Sequence, residues 1–80
     1  MNAEKFHGYE LETTCRKKID GGYSVEVMIS KKLDGKVYRN CFIDSKITMA
    51  LPVEAEKESI NFGKNLIKRK IIGRINKAAI

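Results

Sequence analysis

Two breaks frame the segment that most constrains this chain. Asp20-Gly21-Gly22 stands before it and Asp34-Gly35 after it, and between them Tyr23, Val25, Val27 and Ile29 alternate with Ser24, Glu26, Met28 and Ser30. Period-two alternation sends one set of side chains to each face of a strand. Glycine reaches the positive φ that tight hairpin turns require, and Asp-Gly between alternating segments is among the strongest short hairpin signals. A strand closed by a hairpin turn at each end needs a neighbour on each side, so the sequence commits the chain to an antiparallel sheet.

The flanking segments supply those neighbours. Tyr9, Leu11, Thr13, Cys15 and Lys17 alternate with Glu10, Glu12, Thr14, Arg16 and Lys18 as a first strand. A three-residue loop at Asp20-Gly21-Gly22 sets Cys15 opposite Val27, Lys17 opposite Val25, Arg16 opposite Glu26, and Glu10 near Lys32, pairing charges across a solvated face. The third strand runs from Val37 to about Ile43. A two-residue Asp34-Gly35 loop turns Tyr38 and Phe42 towards the Val25, Val27 and Ile29 face and leaves Val37, Arg39, Cys41 and Ile43 beside Met28, so the second face is mixed in character. Residues 44–51 fit either a short strand or a connecting loop.

Pro52 suits the first turn of a helix, where its missing N–H costs nothing, and Glu54, Glu56 and Glu58 suit the positive end of the helix dipole. Ala55, Ser59, Phe62, Gly63, Leu66 and Ile67 recur at three- and four-residue steps, with Val53, Ile60 and Ile71 widening the stripe laid on the sheet. Glycine inside a helix costs roughly 1 kcal/mol against alanine, so Gly63 marks the nearest approach of helix and sheet. The helix is expected to end by Gly73. The expected architecture is α+β, a three-stranded antiparallel β-meander packed against one C-terminal α-helix. Residues 1–80 form a single domain with an ordered core of about 8–72, and 1–6 and 74–80 are expected to be flexible.

A chain of 80 residues buries only about 60 to 65 % of its unfolded surface, enough for one thin core and little room for a deep cleft. No catalytic set is legible. His7 has no partner at metal or triad spacing, and the glycine turns join strand to strand instead of opening a helix onto a phosphate. Cys15 and Cys41, with His7, fall short of a four-ligand structural zinc site, and two separated cysteines are expected to be reduced, buried thiols. The expectation is a protein that is not an enzyme and holds no metal and no cofactor. Without a long apolar run, or an apolar stretch in the acidic N-terminal segment, neither a membrane span nor a secretory signal is expected, which implies a cytoplasmic setting without membrane partners.

Charge supplies the positive expectation. Sixteen Lys and Arg against ten Asp and Glu give +6, which favours polyanionic partners. Lys31, Lys32, Lys36 and Arg39 surround the second turn, while Lys57, Lys64 and Lys68 form a helical stripe running into Arg69 and the basic tail. The plain reading is a solvated helix face; the functional reading is phosphate contact with nucleic acid through these eight residues. The alternative is a protein partner, or a second copy of the chain, on the second sheet face at Met28, Val37, Cys41 and Ile43.

The order of strands and helix carried by "DGGYSVEVMI", "DGKVYRNCFIDS" and "PVEAEKESINFGKNLI" resembles the three-stranded-sheet DNA-binding domains of plant ethylene-response factors and the arm-binding domains of tyrosine integrases. That resemblance implies a sheet whose free face enters the major groove, with Arg16 and Arg39 in the reading positions and Glu10, Glu12 and Glu26 as departures from the pattern. The layout is also similar to the β-β-β-α part of double-stranded-RNA-binding domains, whose N-terminal helix has no room before Tyr9.

Overall fold

The computed structural model describes residues 3–69. It is an α+β arrangement of one antiparallel sheet and one helix, and the sheet has four strands: β1 (Ala3–Phe6), β2 (Tyr9–Thr13), β3 (Tyr23–Leu33) and β4 (Lys36–Met49), followed by α1 (Pro52–Lys68). The strands lie side by side in chain order.

The additional strand, β1, is formed by Ala3–Phe6, within the segment 1–6 that the sequence leaves outside the three expected strands; residues 1 and 2 lie outside the described residues. Phe6 pairs with Tyr9 across His7-Gly8, and both turn residues hold positive φ, 51° and 82°. That is the conformation a two-residue hairpin needs, and histidine is one of the few non-glycine residues that enters it readily. The expected tail at 74–80, Ile71 and the stop at Gly73 lie outside the described residues; α1 itself ends at Lys68, with the Arg69 N–H donating to Asn65 O at 3.0 Å.

The β3–β4 turn follows the sequence. Leu33 pairs with Lys36 across Asp34-Gly35, whose φ values of 50° and 78° match a two-residue turn that needs positive φ at both positions. Tyr38 and Phe42 consequently share the helix-covered face, and Val37, Arg39, Cys41 and Ile43 share the open one. β4 then continues past Ile43 to Met49. Between the Val25–Asp44 and Ser24–Thr48 pairs the register shifts, and the strand accommodates residues 45–47 in a bulge where the Asp44 carboxylate accepts the Lys46 N–H at 3.1 Å.

The β2–β3 register differs from the expected one by two residues. Leu11 faces Ile29 and Thr13 faces Val27, and the bridge nearest the turn joins Lys17 to Tyr23. The loop has three residues, but they are Ile19, Asp20 and Gly21: Lys18 N–H donates to Gly22 O at 2.9 Å and Gly21 N–H to Lys18 O at 3.1 Å. Gly22 therefore belongs to the ladder, pressed against β4, where a Cβ would lie 3.1 Å from Met49 O and collide with the Thr48 methyl. A slip of two residues keeps every side chain on its intended face, so the alternation is silent about it.

Replacing Gly22 by alanine is expected to cost about 2 kcal/mol, because left-handed backbone strain of about 1–2 kcal/mol combines with that collision. Gly21→Ala carries the strain alone, since nothing lies within 4 Å of its added methyl. Equal urea midpoints for the two variants would contradict the account.

The core lies between sheet and helix. Leu11, Val25, Val27, Ile29, Ala55, Ile60 and Ile67 are buried, and Phe6, Tyr9, Phe42, Phe62 and Leu66 pack around the edge of that group. Gly63 is buried at the nearest approach, where a Cβ would stand 3.1 Å from Val27 Cγ2 and 3.3 Å from Leu11 Cδ2. Val53, assigned by periodicity to the buried stripe, is exposed in the first turn of α1. Among the described residues no helix is long and apolar enough to cross a membrane.

Candidate functional site

Contacts between α1 and the sheet fix which groups share an end of the molecule. Ser59 meets the backbone of Glu26, Gly63 lies over Val27 and Leu11, and Lys64 and Lys68 stand over the Phe6 ring. The helix thus runs towards the β1–β2 turn, and that turn lies beside the β3–β4 turn because Tyr9 and Tyr38 both flank Lys31 on the helix-covered face. The C-terminal end of α1, the His7-Gly8 turn and the Asp34-Gly35 turn share one end. Two basic clusters distant in sequence, one on the hairpin and one on the helix, meet there.

Within this end the lysines divide by face. The pairings Lys5–Glu10, Glu10–Ser30 and Ser30–Arg39 draw a row across the open face, with Lys32 and Val37 beside it. These residues, with Glu12 and Met28, line a shallow concavity of about 530 Å³. Lys31 has the opposite parity, and its Nζ sits 4.5 Å from the centre of the Tyr9 ring, a cation–π distance. Lys36 closes the turn and is exposed.

On the helix, Lys64 Nζ pairs with Glu4 Oε2 at 2.5 Å and lies 5.5 Å from the Phe6 ring centre, with Lys68 at 5.9 Å. Lys64 is anchored against β1, whereas Lys68 is exposed. Lys57 stands about two turns before Lys64 and three before Lys68 along α1, where it borders a second groove of about 350 Å³ with Ala3, Glu4, Asn61 and Lys64. Arg69 is exposed at the helix end.

The far end mixes its charges. Glu54, Glu56 and Glu58 open the helix there, near Asp20 and Asp44, among Arg16, Lys17, Lys18 and Lys46. Glu26 belongs to this end, and it corrects the expectation of a solvated carboxylate: it is 5 % exposed. Its Oε2 accepts from the Ser24 hydroxyl, the Ser24 oxygen accepts the Arg16 N–H at 2.9 Å, and Arg16 Nε lies 3.6 Å from Oε1. In the observed register Arg16 stands opposite Ser24 and reaches Glu26 on the diagonal. Arg16 is consequently remote from Arg39, and the two arginines do not form one reading surface on the sheet.

The residues expected to meet a partner lie on the open face as read. Met28 pairs with Cys41, Lys32 with Val37 and Glu26 with Ile43, and Val37 and Ile43 are 50 % and 59 % exposed. Cys41 is exposed and Cys15 is half-buried, both free thiols, which replaces the expected pair of buried thiols. The same concavity joins Met28 and Val37, from the partner set, to Lys32 and Arg39, from the phosphate set. Sequence reasoning left out Lys5, because β1 carried too short a pattern to place it, and gave Tyr9 a place in the first strand but none in the site. Among the described residues no group of His, Cys, Asp and Glu side chains is placed to hold a metal ion. Compared with family models, curated proteins and solved structures, the chain matches none of them.

Proposed function

We propose that this chain is a small non-enzymatic binding protein whose basic end contacts the phosphate backbone of nucleic acid. The observation that carries the reading is the meeting of the hairpin cations with the helix-end cations at one end of the molecule, while the other end mixes both signs. Exposed Lys32, Lys36, Arg39, Lys68 and Arg69, with Lys5, form the reach of this surface; Lys31 and Lys64 sit behind them against Tyr9 and Phe6 and add to the field. Lys57 lies to the side and contributes least. Glu10 and Glu12 border the same concavity, which favours contact by the turn and helix end over a groove filled by the whole sheet face. Such contact is electrostatic and indifferent to base sequence.

The test is fluorescence anisotropy with labelled duplex and single-stranded oligonucleotides across a salt series. Displacing counterions at four phosphates weakens binding on the order of a hundredfold between about 50 and 200 mM salt. Lys32→Glu combined with Arg39→Glu is expected to abolish binding, whereas Lys17→Glu with Lys18→Glu at the far end leaves most of it. Equal loss in both double variants, or no binding at low salt, overturns the proposal.

A further inference from the structure

β4 is the outer strand of the sheet, with no strand beside it among the described residues. Its backbone direction is fixed by β3. Ser24 N–H donates to Arg16 O and Thr14 N–H to Glu26 O, so even-numbered residues of β3 turn their hydrogen-bonding groups to β2 and odd-numbered ones to β4. Val27, Ile29, Lys31 and Leu33 face Phe42, Asn40, Tyr38 and Lys36. Val37, Arg39, Cys41 and Ile43 are left with N–H and C=O groups pointing outward. A long edge with open groups is a template for another strand.

The residues along this edge are self-complementary about Asn40. In an antiparallel pair centred there, Lys36 meets Asp44, Val37 meets Ile43, Tyr38 meets Phe42 and Arg39 meets Cys41. Each charged end is matched by its opposite, the two exposed apolar residues cover each other, and the aromatic residues pair on the helix-covered side. The same register brings the outward-facing pairs Val37–Ile43 and Arg39–Cys41 into hydrogen-bonding positions, which the backbone independently demands. Moving the centre to Cys41 sets Arg39 against Ile43 and Tyr38 against Asp44; moving it to Arg39 sets arginine on arginine. The bulge at 45–47 ends the matched segment just beyond Asp44.

From this double match we infer that the occupant of the β4 edge is a second copy of the chain, paired antiparallel about a two-fold axis at Asn40 to make a continuous sheet with both helices on one side. This places the contact on the edge of β4 and gives Val37, Cys41 and Ile43 partners, while Met28 stays in the open face. It is independent of nucleic-acid binding.

Sedimentation of the full chain without nucleic acid, up to about 1 mM, is expected to show a species of twice the 9.1 kDa chain mass. Asp44→Lys sets lysine against Lys36 and weakens association at least tenfold; Lys36→Glu added to it restores the dimer. Asn40 meets its own mate at a Cα separation of about 4.5 Å, inside disulfide range, while two Cys41 residues stand diagonally, beyond about 7 Å. Asn40→Cys in a Cys41→Ser background therefore cross-links with oxidised glutathione, and the unaltered chain does not. A monomer throughout the range overturns the inference. So does a dimer that ignores the charge exchange, or one that cross-links through Cys41 and not through Asn40→Cys.

Discussion

Gly63→Leu is expected to destabilise the domain by about 3 kcal/mol, the upper part of the range for forcing side-chain volume into a packed core. Position 63 faces Val27 and Leu11, both fully buried, with the space for a single methyl already contested at 3.1 and 3.3 Å. A leucine cannot turn aside, because β3 lies beneath it and its own helix flanks it. To admit it, α1 must lift from the sheet, which also loosens the burial of Ile60 and Ile67 on either side. A domain of this size holds about 4–12 kcal/mol in total, so the urea midpoint should fall by a large fraction. Gly63→Ala tests the cause: alanine gains about 1 kcal/mol in helix propensity while pressing the same two neighbours, so its net effect should be small. A midpoint for Gly63→Leu equal to that of the unaltered chain would mean that Gly63 does not set the helix–sheet spacing.

That role for Gly63 was legible in the sequence, and the reason separates what could be read from what could not. A glycine amid a long periodic stripe has a local cost that only a close approach explains. The Asp34-Gly35 turn was equally legible, because the required φ values select those residues and the alternation on each side fixes which face each side chain takes. The four residues of β1 were not, since so short an alternation has no weight and His7-Gly8 is a weaker turn signal than Asp-Gly. The β2–β3 register escaped for a different reason: slips by two leave the pattern unchanged, and only the contact of Gly22 with the end of β4 decides between them. Residues 44–51 were ambiguous because the bulge at 45–47 breaks the alternation that would carry the strand on to Met49.

The candidate site divides in the same way. Lys31, Lys32, Lys36 and Arg39 cluster through a local turn, so their proximity to one another follows from sequence alone. Their proximity to Lys64, Lys68 and Arg69 depends on the direction in which α1 crosses the sheet, which no local pattern encodes. Face matters too. Adjacent Lys31 and Lys32 look equivalent as a charge run, yet strand parity sends one over Tyr9 and the other to the open surface, although both border the concavity there.

The junction at Ser59 carries the other large effect. Ser59 appeared as one more small residue on the apolar stripe, but its hydroxyl is fully buried and joins three elements. It donates to Ala55 O at 2.7 Å and accepts the Glu26 N–H at 3.0 Å. With its single proton committed to Ala55, the 3.1 Å contact with Cys15 Sγ has the thiol as donor. β3 needs this partner because the chain after Thr13 has left the regular β2 ladder, and the Glu26 N–H would otherwise be buried unpaired beside a buried carboxylate. Ser59→Ala removes a single oxygen atom from this fully buried site and with it every one of these bonds. A buried unpaired N–H costs about 1–3 kcal/mol, and the thiol loses its acceptor as well, so the total loss is expected to reach about 3 kcal/mol. Cys15→Ala, which removes only the weak S–H donor, should cost far less. Amide exchange gives the specific readout: in Ser59→Ala the Glu26 N–H should exchange faster relative to Val27 and Ile29, whose groups pair with β4 and are untouched. If stability falls while the Glu26 amide keeps its protection, the hydroxyl is not its partner and the loss belongs to packing alone.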